Sequence, residues 1–308
     1  MKLLVTGALG FIGGSVARHA RGLGHEVVGT ALAGDLGRAA DAGFSIVAAE
    51  DEGGLAAILA EMKPDAILHA AGRASVAASL SAPRDDFDGS VLTWQALLEA
   101  VRRSGQRPVV ILPSSAAVYG NPAHLPVAED APARPISPYG FHKRICEVLA
   151  DEYAACFGLD VVVARLFSVF GPAQRRLLVW ELFAQLAGPA EVAWIQGTGQ
   201  ETRDFLHVDD VAEALLRLAA SPRPEGARGA EVINVASGEE RSVLDLAGAL
   251  RDRVAPGKRI ACRGEPRPGD PQRWCAEVGR LLARVAPFRP RPFDEALAAC
   301  VAAWRAGG

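Results

Sequence analysis

The sequence predicts a doubly wound α/β fold, a parallel sheet with helices on both faces, followed by a smaller C-terminal lobe. Three observations predict it. Compact apolar runs alternate with stretches of helical spacing through the first half of the chain, and a cluster of glycines follows the first run directly. The 308 residues are 50% apolar and 22% charged, which supplies a large core and excludes a disordered chain. Strands separated by helices need crossover connections, and these are right-handed, so the economical arrangement is a parallel sheet covered on both sides.

Taken in order, residues 2–5, 26–29, 45–47, 66–69, 109–113 and 161–165 read as buried strands, and 11–22, 54–61, 91–103 and 138–157 as helices. After Gly171-Pro172 the rhythm changes. Residues 177–186 read as a helix and 192–195 as a short strand, while Pro, Gly and Arg become frequent over 221–229 and 263–271. The expected division is a first domain over 1–170 and a smaller lobe over 171–308. Residues 231–236 again have strand character, so the chain is expected to return to the first domain near 203–236. No internal repeat or low-complexity tract is found.

Composition narrows the function. With 33 Lys and Arg against 36 Asp and Glu, the formal net charge is -3, and no nucleic-acid partner is expected. Cys146, Cys156, Cys262, Cys275 and Cys300 are an odd number without a Cys-x-x-Cys pair, which argues against a disulfide framework or a cysteine zinc site and fits a reduced compartment. No segment supplies the ~20 apolar residues of a membrane span. The apolar start is broken by Gly7, Gly10, Gly13 and Gly14, where a secretory leader needs an unbroken run. A cytoplasmic protein without a membrane partner is expected.

The glycines lie between the first strand and the first helix. There Gly7 permits a tight turn, Gly10 lets the backbone approach a pyrophosphate, and Gly13 lets helix pack on strand. The free N–H groups at the helix start would face the phosphates, as in a Rossmann dinucleotide-binding domain. A tight turn without a ligand is the alternative, disfavoured by the position of the motif at the head of an alternating α/β chain.

With its G-x-x-G-x-x-G spacing the chain resembles the extended short-chain dehydrogenase/reductases, specifically their NAD-dependent nucleotide-sugar epimerase/dehydratase members. Nearly the whole chain can be laid on that pattern. The resemblance implies NAD as cofactor, with contacts from Gly7, Leu9, Gly10, Phe11, Ile12 and Gly13, from Asp51 after the third strand, and from Ala70, Ala71, Gly72, Ser114, Tyr139 and Lys143. The acid that such enzymes carry at the tip of the second strand, to bind the adenosine ribose, is replaced by Ala31, so NADP stays open beside NAD. Arg38 is either a partner for a 2′-phosphate or a solvated loop residue, and Asp51 either an adenine contact or a surface carboxylate.

Tyr139-Gly140-Phe141-His142-Lys143 is the most informative pentapeptide, because the chain has only three tyrosines and four lysines. Four residues on a helix place both side chains on one face, and an ammonium beside a phenol favours the phenolate, a usable proton acceptor. Pro138 suits the first turn of that helix. Upstream, the apolar run 109–113 delivers Ser114 and Ser115 to the carboxyl edge of the sheet, where ligands bind. By the family pattern S-A-x-V-Y-G, the resemblance makes Ser115, Tyr139 and Lys143 catalytic, with Ser114 the alternative serine.

Dehydratases of the family place Asp-Glu where this chain has Ala116-Ala117, and the decarboxylases a Glu, so the segment resembles the 4-epimerases most. The resemblance therefore implies epimerisation of a UDP-hexose through transient oxidation at C4, with an NAD(P)H-dependent 4-ketosugar reductase as the alternative. Arg165-Leu166-Phe167-Ser168-Val169-Phe170-Gly171-Pro172 resembles the family's R-x-F-N-V-Y-G-P segment, with Ser168 for the customary Asn; Ser90 and Ala74 are further departures. Arg203-Asp204-Phe205-Leu206-His207-Val208-Asp209-Asp210 matches R-D-F-x-H-V-x-D, and Arg267-Pro268-Gly269-Asp270 matches R-x-G-D. These imply Ser115, Tyr139, Ser168, Arg203 and Arg267 as substrate contacts, the two arginines gripping a diphosphate. No companion spacing makes His207 and Asp209 metal ligands, so no metal is expected. The resemblance also implies a homodimer, with 91–103 and 138–157 as candidate faces.

Overall fold

The computed structural model describes residues 1–49, 51–221, 223, 228–265 and 268–307. In chain order the strands are β1 (Lys2–Thr6), β2 (Glu26–Ala31), β3 (Ser45–Ala48), β4 (Ala66–His69), β5 (Val109–Ser115), β6 (Asp160–Leu166), β7 (Ser168–Phe170), β8 (Val192–Ile195), β9 (Thr202–His207), β10 (Glu231–Val235), β11 (Glu240–Ser242) and β12 (Arg259–Cys262). The helices are α1 (Phe11–Gly22), α2 (Glu52–Met62), α3 (Val76–Ser81), α4 (Pro83–Phe87), α5 (Thr93–Ser104), α6 (Pro138–Phe157), α7 (Leu178–Ala187), α8 (Val208–Ala220), α9 (Val243–Val254), α10 (Gly279–Arg284) and α11 (Phe293–Ala306).

Seven strands form one parallel sheet in the order β10-β6-β5-β4-β1-β2-β3. The order reverses between β1 and β4, which opens a crevice at their carboxyl ends. Alternate residues of the central strands bury against opposite layers. Leu3, Val5, Leu68 and Ala164 pack on α1 and α8 through Val16, Ala17, Ala20, Val211 and Leu215. Leu4, Ile67, Val110 and Val163 pack on α2, α5 and α6 through Leu59, Trp94, Leu97, Leu98 and Ala150. The doubly wound class expected from the alternation is the class observed. Trp94 is fully enclosed, and its indole N–H donates to the Cys146 carbonyl at 3.0 Å, which joins α5 to α6. Among the described residues no helix is long and apolar enough to cross a membrane.

A second, three-stranded sheet has the order β11-β9-β7, with β7 parallel and β11 antiparallel to β9, and β8 pairs with β12. These small sheets share a core with α7, α9 and α11 built on Phe170, Phe183, Phe205, Leu246, Leu297 and Trp304. Between the two sheets the chain crosses back, since β10 pairs with β6 at the edge of the large sheet. The segment at 272–277 laces the lobes together. Val127 N–H donates to the Cys275 carbonyl at 2.8 Å, Glu277 N–H to the Val127 carbonyl at 2.9 Å, and the Trp274 indole to the Gly120 carbonyl at 2.9 Å.

Asp204, fully buried in β9, holds this junction. Its carboxylate accepts from Ser237 N (2.8 Å) and Oγ (2.7 Å), Gly238 N (2.9 Å) and Ala276 N (3.1 Å). Burial pushes its carboxyl above the usual range, and these hydrogen bonds oppose that rise. Asp204→Ala leaves three backbone donors without an acceptor in the interior and is expected to cost roughly 3–5 kcal/mol in urea unfolding.

Candidate active site

The turn from β1 into α1 is built on glycine because there is no room for anything else. Gly7 has φ +67°, and a Cβ there would lie 2.6 Å from Ala71 N and 2.7 Å from the Ala70 carbonyl. A Cβ on Gly13 would collide with the Gly7 carbonyl oxygen. Gly10 is the extended residue before α1 and is exposed, so no side chain covers the first N–H groups of the helix; Leu9, Phe11 and Ile12 beside it are half-buried. An uncapped, twelve-residue helix with a glycine at its mouth and no acid in its first turn fits the pyrophosphate of a dinucleotide.

Ala70, Ala71 and Gly72 leave β4 against this turn, with Gly72 at φ +141°. Thr6 organises them, its hydroxyl accepting from Ala71 N at 3.3 Å and pairing with His69 Nδ1 at 2.9 Å. His69 is buried against the Trp94 ring, 5.1 Å between centroids, and its Nε2 has no protein partner. Burial, with a smaller push from the Lys143 charge, lowers it to about 3, so the ring is neutral. At the tip of β2, Ala31 is buried and Arg38 pairs with Asp35 at 3.5 Å on the surface. Asp51 caps α2, its carboxylate accepting from Gly54 N at 2.8 Å.

Ser115, Tyr139 and Lys143 converge at the carboxyl end of β5. Lys143 Nζ donates to the Pro113 carbonyl at 2.9 Å and lies 5.9 Å from the centre of the Tyr139 ring. Ser137 caps α6, and the Tyr139 N–H donates to Ser79 Oγ of α3 at 3.0 Å. Gly140 lets the start of α6 press on the residues after Ser115, because a Cβ there would be 2.6 Å from the Ala117 carbonyl oxygen. The two serines point apart, as successive strand residues must. Ser115 is half-buried and its Oγ accepts from Ala117 N at 3.2 Å, whereas Ser114 is buried and donates to Glu147 Oε1 at 2.7 Å. The Ser114 side chain is therefore turned into the interior and held by Glu147.

On the other side of the crevice Arg203 is buried in β9, over the Trp274 ring at 5.5 Å, donating to its neighbour's Thr202 carbonyl at 2.7 Å and standing 4.0 Å from Asp270. Burial lowers its pKa, and Asp270 opposes the shift. Arg267 lies outside the described residues. The stretch beside it crosses the mouth of α6, with a Cβ on Gly269 placed 2.9 Å from Val76 and 3.2 Å from Ser137. Ser168 is half-buried in β7, paired with Phe205 of β9. His207 caps α8, its Nδ1 accepting from Asp209 N at 3.2 Å, and Trp180 packs against Phe183 and Trp304 in the second core.

Sequence reasoning missed His69, Glu147 and the pair His142–Asp86, 2.6 Å apart. A polar residue closing an apolar strand would have pointed to His69. Glu147 was visible in the spacing, four residues beyond Lys143 and eight beyond Tyr139 on the same helix face.

A parallel sheet that opens at a glycine cradle, with a tyrosine–lysine helix at its carboxyl edge, defines a Rossmann-type enzyme of the extended short-chain dehydrogenase/reductase class. The chain belongs to the NAD dependent epimerase/dehydratase family, whose model matches residues 3–236. It is 35% identical over 264 residues, 82% of this chain and 83% of the relative, to a UDP-glucose 4-epimerase of Mycolicibacterium smegmatis. Among solved structures it resembles the UDP-glucose 4-epimerase of Thermotoga maritima with UDP-glucose (TM-score 0.89, 27% identity, 100% and 99% of the two chains). It also resembles TunA, an NAD dependent NDP-hexosamine 5,6-dehydratase of tunicamycin biosynthesis (TM-score 0.87, 27% identity, 99% and 98%).

His69 makes stability depend on pH. Below about pH 6.5 the unfolded chain takes up a proton that the folded chain refuses until about pH 3, so stability falls as pH drops through that window, by up to about 1.4 kcal/mol per unit. In urea titrations between these limits His69→Gln is expected to show a shallower loss than the parent.

Proposed function

We propose that the chain is a UDP-hexose 4-epimerase that works by transient oxidation of the C4 hydroxyl to a 4-keto sugar. The observation that carries this reading is the pair Ala116 and Ala117 beside Ser115, buried at 0% and 6% exposure. Eliminating water needs an acid and a base besides the tyrosine, and at these two positions the wall supplies only methyl groups.

In this reading Tyr139 takes the proton of the C4 hydroxyl and returns it, Ser115 donates a hydrogen bond to the reacting oxygen, and Lys143 holds the cofactor ribose. The glycine turn from Gly7 to Gly13 and the Ala70–Gly72 turn hold the dinucleotide. Held there, NAD would supply reversible hydride acceptance at C4; the 4-keto sugar turns so that the hydride returns to its other face, which inverts C4 and leaves the cofactor unchanged. Arg203 and Arg267 grip the diphosphate, and Ser168 lines the sugar end with a hydroxyl where relatives carry an amide. A 4-ketosugar reductase is the second reading, favoured by the missing carboxylate at Ala31, which leaves room for NADP.

The protein is proposed to act in the cytoplasm as a homodimer through α5 and α6. Support comes from Phe141, Ile145 and Val148, exposed at 55%, 38% and 52% on successive turns of α6, and from Leu92 at 49%.

Purified protein given UDP-galactose or UDP-glucose is expected to interconvert them, followed by NMR, without a net change in nicotinamide absorbance. Steady oxidation of added NADPH by a 4-keto nucleotide sugar, with no epimerisation, would replace this reading by the reductase. Tyr139→Phe is expected to lower kcat by roughly 10²–10⁴-fold while UDP binding, measured calorimetrically, is retained.

A further inference from the structure

A buried carboxylate lies one helical turn beyond Lys143, and the chemistry described so far does not use it. Glu147 is 3% exposed and Arg165, facing it from β6, is also 3% exposed. They meet in a bidentate pair, Nε to Oε1 at 2.9 Å and Nη2 to Oε2 at 2.8 Å. Ser114 donates to the same Oε1 at 2.7 Å, and Arg144 reaches Oε2 from the surface at 3.1 Å. Arg165 Nη1 donates to the Tyr119 hydroxyl at 2.8 Å and to the Glu129 carbonyl at 2.9 Å. Tyr119, kept protonated because burial pushes it up to about 12, passes its own O–H to Asn234 Oδ1 at 2.7 Å. Asn234 N–H donates to Glu129 Oε1 at 2.9 Å.

What this network encloses is more informative than its size. Ser114 and Tyr119 are the residues on either side of the stretch 115–118, which carries Ser115 and the tight turn Ala116–Val118. Ser114 is held by Glu147 and Tyr119 by Arg165, so both ends of the stretch are tied to one ion pair. The helix that bears Glu147 also bears Tyr139 and Lys143 on the same face. Stability does not account for the arrangement, since a buried ion pair is often replaceable by well-packed apolar residues at no loss. Geometry does account for it, because a bidentate pair fixes direction as well as distance.

We propose that Glu147 is a positioning residue for the reaction: paired with Arg165, it sets the strand end that carries Ser115 against the helix face that carries Tyr139 and Lys143. The inference rests on the epimerase reading for its kinetic test, and on the fold alone for its structural one.

The test compares Ser114→Ala and Glu147→Gln with the parent, in UDP-galactose turnover and in crystal structures. Ser114→Ala is the milder variant, kept in case Glu147→Gln folds poorly. The expected result is a kcat lower by about 10-fold for Ser114→Ala and about 100-fold for Glu147→Gln, the loss that a misplacement of about 1 Å brings. KM and NAD affinity should stay within about twofold, and the double variant should lose less than the product of the two single losses. A kcat unchanged in Ser114→Ala, or lost in Glu147→Gln only in proportion to the protein that no longer binds NAD, would overturn the proposal. If the parent turns over no UDP-hexose, the epimerase reading fails, and the crystal structures decide this one. Ser115 and Tyr139 oxygens displaced relative to each other support it; oxygens that superpose on those of the parent refute it.

Discussion

Parallel pairing governs this molecule. Each strand of the large sheet must be re-entered from the same end, so every crossover leaves its outgoing turn on one edge. The reversal between β1 and β4 then opens that edge. Three segments far apart in the chain meet there: the glycine turn after β1, the small residues after β4, and the serines that end β5. None of them forms a site alone. Their common address follows from the sheet, and the sheet follows from strands apolar on both faces.

On that frame, absence of bulk does as much as chemistry. Gly7 and Gly13 let β1, α1 and the end of β4 come into backbone contact, and Gly140 does the same for α6 and the turn after Ser115. Polar groups are buried just beneath, and many are joined in networks. Glu147, Arg165, Tyr119 and Asn234 form one connected set, and Asp204 forms another on its own. His69 Nε2, like Asp86 Oδ1 and His207 Nε2, has no hydrogen-bond partner within the protein, and it lies beside the cradle.

The large sheet was readable in the sequence because its strands are short, apolar and separated by amphipathic helices, and each was placed to within two residues. The second lobe was less readable. β7 and β11 are three residues long, too short for an alternation to register, and β7 already belongs to the second sheet three residues before the Gly171-Pro172 break. At the site, the tyrosine–lysine spacing was legible because helix geometry is local. Which of Ser114 and Ser115 turns inward was not, since that depends on which face of β5 packs on α6, and it is the Ser114 face that does. Equally invisible were contacts across the sheet, such as Ser114 with Glu147, which join residues 33 positions apart.

Trp274 has a consequence of its own. One ring lies beneath the Arg203 guanidinium, donates its N–H to Gly120, and packs edge-on to Phe167 at 6.1 Å. A single rigid indole thus mortises the smaller lobe into the tail of the Ser115 segment. Under the proposed reading, the parts that hold the nucleotide and the parts that handle the hydroxyl are one solid piece. Replacing the smaller lobe would therefore break the Trp274 hold on Gly120 and Phe167 and leave a gap beside the Ser115 segment.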